Sequence, residues 1–142
     1  MRQAGALANH VLLETAKSIQ PGVTTEEIDQ LAAECIEGFG AKSAFIGYKG
    51  YPCHTCISVN EEVVHGIAGP RRIDVGDIIS LDVGVVYGGF IGDKALTVAA
   101  GGCTVEKQAL MDVTETSQQK GISQAVAGNR VSDISRAIQE YV

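Results

Sequence analysis

A mixed α/β (α+β) fold built on an antiparallel sheet follows from three features of the chain. Two apolar, β-branched runs, residues 77–87 and 90–98, flank Gly88-Gly89. That is a strong hairpin signal, because the tightest strand-to-strand turns need positive φ at both central residues. Two other stretches space apolar residues at i, i+3, i+4, i+7 and i+8: Ile28, Leu31, Ala32, Cys35, Ile36, and Ile134, Ala137, Ile138, Tyr141, Val142. Each is one stripe of an amphipathic helix. Finally, a shift of 106 positions carries Gly22 onto Gly128, Ile28 onto Ile134, Ala32 onto Ile138 and Ile36 onto Val142. An internal duplication explains this order most simply, with a first copy over 1–102 and an incomplete second copy over 103–142.

Taken in order, Ala6, Leu7, His10, Val11 and Glu14 belong to a first helix that Pro21-Gly22 ends. Thr24 and Glu27 have the spacing of a capping box opening the second helix, and Gly38-Phe39-Gly40 closes it. A glycine- and tyrosine-rich loop, 47–52, follows Ser43-Ala44-Phe45-Ile46. Two short strands are expected at 56–60 and 63–67, with His65 at the end of the second. Residues 71–77 turn into the hairpin. After Gly101-Gly102 a long helical stretch runs from about 105 to 126, broken or kinked near Gly121, and a turn at Gly128-Asn129 precedes the last helix.

The hairpin also carries the first chemical signal. A two-residue turn at Gly88-Gly89 pairs Tyr87 with Phe90 and places Asp82 opposite Ala95, two positions from Asp93. Side chains alternate along a strand, so both carboxylates project from one face as diagonal neighbours, roughly 7–8 Å apart at the backbone. Two ionised carboxylates in apolar surroundings repel and resist burial. Divalent cations offset that cost, and a pair of them about 3.5–4 Å apart would fit between such groups.

The 142 residues are enough for one domain. A net charge of −6, with 11 basic residues and no basic run, argues against a nucleic-acid or anionic-membrane surface. No apolar run reaches the length of a membrane span, and the first residues lack the apolar core of a signal peptide, so a cytoplasmic location is expected. Cys53-His54-Thr55-Cys56 is a lone CxxC followed by a β-branched run. It lacks the second pair of a structural zinc site and the helix of a redox motif, so two free thiols are expected.

Several segments together resemble one family. Tyr51-Pro52, Cys56-Ile57-Ser58-Val59-Asn60-Glu61, Val64-His65-Gly66-Ile67, Gly76-Asp77-Ile78, Leu81-Asp82-Val83 and Gly92-Asp93 follow one another as in type I methionine aminopeptidases, and the similarity covers nearly the whole chain. The resemblance implies the pseudo-twofold pita-bread (creatinase/aminopeptidase) fold, with residues 1–142 a single, partial catalytic domain. It implies Asp82 and Asp93 as the first two ligands of two divalent metal ions: cobalt, manganese, iron(II) or zinc. Oxygen-rich ligation favours the first three over a structural zinc site. His65 is the implied catalytic residue, touching substrate near the scissile bond, and Tyr48, Tyr51 and Cys56 match substrate-binding positions around a methionine side chain. The implied reaction removes the initiator methionine from the N-termini of nascent polypeptides, at or near the ribosome, by attack of a metal-activated water.

The resemblance also implies a histidine and two glutamates in a second half, beyond Val142. An N-terminal portion with little activity alone, and prone to self-association where the family is usually monomeric, is therefore expected. Lys94 after Asp93, and Lys49 in the tyrosine loop, depart from the family pattern. On a strand Lys94 points away from Asp93, so it should be tolerated. Two other readings are a non-catalytic binding module of the same fold, against which retention of both aspartates counts, and a proline-directed aminopeptidase, which His65-Gly66-Ile67 disfavours.

Overall fold

A computed structural model describes residues 1–142. In chain order it contains α1 (Arg2–Ala16), α2 (Thr25–Gly38), β1 (Lys42–Ser43), a 3-10 turn (Tyr48–Gly50), β2 (Thr55–Val59), β3 (Ile78–Tyr87), β4 (Phe90–Ala99), α3 (Val105–Ser123) and α4 (Val131–Gln139). They form two units, Met1–Cys103 and Thr104–Val142.

In the first unit β3 is the central strand. β4 pairs with it along its whole length, while β1 and β2 share its other edge, and every pairing is antiparallel. The expected register is the observed one: Tyr87 faces Phe90 and Asp82 faces Ala95. Gly88 and Gly89 have φ of 57° and 80°, the double left-handed turn that matches strand twist. One face of β3 and β2 carries Ile79, Leu81, Val83, Val85, Ile57 and Val59, all buried with Ala8, Val11 and Leu12 of α1 and Ile28, Ala32 and Ile36 of α2. Full burial of each large aliphatic side chain is worth about 1.5–3 kcal/mol, so this layer supplies most of the unit's stability. The approach of α1 is close: a Cβ on Gly92 would stand 2.1 Å from the Ala4 carbonyl oxygen. That explains a glycine immediately before Asp93.

The capping box forms as expected. Thr24 N–H donates to Glu27 Oε2 at 2.8 Å, and Glu27 N–H to Thr24 Oγ1 at 3.2 Å. Leu31 departs from the expected stripe and is exposed.

Two sequence expectations are corrected. Residues 63–67 are not a strand; they form a loop with Val63, Val64 and Ile67 exposed. Their β-branched residues satisfy local propensity, yet the segment forms no ladder with β1–β4. Gly121 does not break α3, which runs unbroken to Ser123. In the second unit it is a contact point: a Cβ there would lie 2.8 Å from Ile138 Cδ1, so the missing side chain lets α4 pack on α3.

Candidate metal centre

Opposite the core, β3 presents the alternate positions Ser80, Asp82 and Gly84. Pairing brings Cys56 of β2 and Ala95 of β4 level with Asp82, with Asp93 diagonal to it. Ser80 Oγ and Thr97 Oγ1 share a hydrogen bond of 2.9 Å, which fixes the polar orientation of this face. Asp82 is half-buried and Asp93 exposed.

The carboxyl groups of Asp82 and Asp93 are within hydrogen-bond reach of each other. Burial, then the charge of Asp93, then the bond to Asp93, push the Asp82 carboxyl up to about 6, and the nearby His65 works weakly the other way. Asp82 Oδ1 is buried and has no donor. A desolvated oxygen facing a second acceptor is poorly satisfied by protein alone, and a cation between them is what such a donor set suits. The residues present therefore fit a divalent metal. No group of three or more His, Cys, Asp and Glu side chains able to hold a metal occurs in the chain. The pair alone is an open site, with most of a cation's coordination left to other ligands.

The other expected site residues surround this pair unequally. Cys56 is buried directly across from Asp82, and burial pushes its thiol up. Cys53 is also a buried free thiol, likewise raised by burial, the reverse of the thiolate that redox chemistry requires. His65 lies in the exposed loop with φ of 60°. Tyr51 is half-buried, and burial raises its hydroxyl well above the ordinary range. Its hydroxyl oxygen lies 2.8 Å from the Gly66 carbonyl and 3.2 Å from that of Thr55. Tyr48 is 64% exposed, with Lys49 Nζ 5.5 Å from its ring centre. Lys94 projects to the helix side, where Nζ donates to Asn9 Oδ1 of α1.

Two contributors escape a reading of the sequence. Phe45 lies over Gly84, its Cε1 2.4 Å from where a Cβ would be, and so forms an aromatic wall on the Asp82 face. Asp29 of α2, buried, accepts from Thr55 N–H at 2.7 Å, Thr55 Oγ1 at 2.6 Å and His54 N–H at 3.2 Å, and thereby fixes the start of the strand that carries Cys56. The only signal for Asp29 was an acidic residue beside the stripe of α2, which solvent explains equally well. For Phe45 it was an aromatic entering a glycine-rich loop.

A hairpin aims two carboxylates out of one sheet face, beside a thiol and a histidine loop. The model of metallopeptidase family M24 matches residues 1–142, and the chain belongs to that family. Family membership makes a divalent metal the expected cofactor. The chain is 46% identical over 143 residues to a methionine aminopeptidase of Clostridium acetobutylicum, covering 100% of itself and 57% of that protein. Over 142 residues it is 45% identical to methionine aminopeptidase 1 of Bacillus subtilis, with the same coverage. The solved methionine aminopeptidase of Thermotoga maritima superposes with a TM-score of 0.96 at 40% identity, over 100% of this chain and 57% of that one. The fold is thus that of the pita-bread aminopeptidases, and the chain spans somewhat more than half the length of these relatives.

Proposed function

We propose that this chain supplies the first part of a metal-dependent aminopeptidase that removes the N-terminal methionine from nascent polypeptides. The observation that carries the reading is the Asp82–Asp93 pair, with its raised carboxyl and its donorless buried oxygen. Asp82 and Asp93 are the residues that would hold the cation, which when bound polarises a peptide carbonyl and makes water a nucleophile near neutral pH. Manganese, iron(II) or cobalt suits these oxygens better than zinc. His65, raised above the same face, would donate a hydrogen bond to the substrate peptide near the scissile bond. Cys56 and Tyr51 offer the buried, weakly polar surface that a methionine thioether prefers, and Tyr48 lies at their solvent side. Hydrolysis in the cytoplasm, close to emerging chains, is the setting this chemistry needs.

A single domain with the 1–102 and 103–142 repeat is the organisation we propose, each copy opening with two helices. With only two carboxylates at hand, these 142 residues by themselves are expected to bind metal weakly and to turn over little peptide. Val105, Leu110, Ile122, Val126 and Val131 of the second unit are exposed, which favours self-association. A non-catalytic module of the same fold is the second reading, against which retention of both Asp82 and Asp93 counts. Calorimetry separates the two: manganese or cobalt uptake that Asp82→Asn abolishes supports the enzyme lineage, and uptake indifferent to that change rejects it.

A further inference from the structure

His65 has a left-handed backbone, φ 60°, a conformation uncommon outside glycine that histidine enters more readily than most residues. The next residue, Gly66, is held on both of its peptide groups. Gly66 N–H donates to Ser58 Oγ at 3.0 Å. The Gly66 carbonyl accepts from Ile57 N–H at 3.0 Å and from the Tyr51 hydroxyl at 2.8 Å. A Cβ on Gly66 would stand 2.1 Å from the Ile57 carbonyl oxygen, so this peptide lies flat against the outer edge of β2. On both sides of it the chain is exposed, at Val64, His65 and Ile67.

Two of these three bonds come from β2, a strand already fixed in the sheet. The third crosses from the tyrosine loop to the carbonyl of Gly66, the residue after His65. The Tyr51 hydroxyl has one proton, with two carbonyls and the Cys56 sulfur in reach. Gly66, at 2.8 Å against 3.2 Å for Thr55, takes it.

We infer that Tyr51 is a positioning residue: its hydroxyl, bonded to the Gly66 carbonyl, holds the backbone of His65 so that the imidazole stays beside the Asp82–Asp93 carboxylates. This rests on the reading of those carboxylates as metal ligands and deepens it, since it makes Tyr51 a brace as well as a pocket wall. Tyr51→Phe separates the two roles, because the ring and its apolar surface remain and only the hydroxyl goes.

The test adds Mn2+ to the isotope-labelled 142-residue chain and compares the paramagnetic relaxation of the His65 ring protons with that of the Ala95 methyl, in the wild type and in Tyr51→Phe. Losing one hydrogen bond should shift the held-to-open equilibrium of the loop about fivefold towards open. Gly66 amide exchange should accelerate by about that factor, the His65 effect should fall, and the Ala95 effect should stay. An unchanged His65 effect in Tyr51→Phe overturns the proposal. If Mn2+ relaxes neither group in the wild type, the metal reading has failed, and Gly66 exchange decides alone: faster in the variant upholds the brace, the same rate rejects it.

Discussion

The β3–β4 hairpin and the loop over residues 60–72 bear on the same site, and they are held by opposite means. The hairpin is a local object. Gly88-Gly89 sets its turn, the turn sets its register, and the register alone puts Asp82 and Asp93 on one face. The loop has no ladder of its own. Gly66 is tied to Ile57, Ser58 and Tyr51, Gly69 to Thr25, and Arg71 to Thr25 through its carbonyl. Those partners lie on β2, the tyrosine loop and α2, so each bond holds only while those elements are in place. A face assembled this way has a rigid carboxylate platform and a conditionally placed histidine loop beside it, and loops held so sit at the low-stability end of a fold.

The contrast gives an ordered set of substitutions. Gly66→Ala should be the most damaging, because its methyl meets backbone atoms 2.1–2.8 Å away that cannot rotate aside. A loss of about 3 kcal/mol in urea unfolding is expected. Asp29→Ala should follow at about 2 kcal/mol, since it strands the buried Thr55 N–H and hydroxyl. In the hairpin, Gly89→Ala should cost about 1–2 kcal/mol, the price of a left-handed alanine, and leave the register intact by amide-pair contacts.

A smaller effect is the pH dependence of the metal-free protein. The folded state raises Asp82 from 3.8 to about 6, so it binds that proton more tightly than the unfolded chain does. The resulting stability is complete below about pH 4, declines between 4 and 6, and is gone above 6. For a half-buried group the change should be about 1 kcal/mol, and Asp82→Asn should flatten it in chelator-treated samples. The smallest effect is Lys94→Met, within about 0.5 kcal/mol, since its one bond to Asn9 is exposed.

The same contrast explains which features a reader of the sequence could recover. The Thr24–Glu27 cap depends on residues three apart, and the hairpin register follows from its two turn glycines, which then fix the aspartates eleven apart, so these patterns survive in one dimension. Lys94 followed from strand alternation alone. Residues 63–67 misled because Val63 and Val64 favour extended backbone, while pairing depends on a neighbouring edge that propensity does not describe. Gly121 misled because its small size serves Ile134 and Ile138, residues on another helix. Asp29 stayed hidden because its partners are 25 and 26 positions away.

The account stands or falls on what sits between Asp82 and Asp93. An anomalous difference map from crystals soaked in Mn2+ should show a peak within coordination distance, about 2.0–2.6 Å, of oxygens from both side chains, and Asp93→Asn should remove it. Manganese bound elsewhere, or two carboxylates left bare at saturating metal, would contradict it.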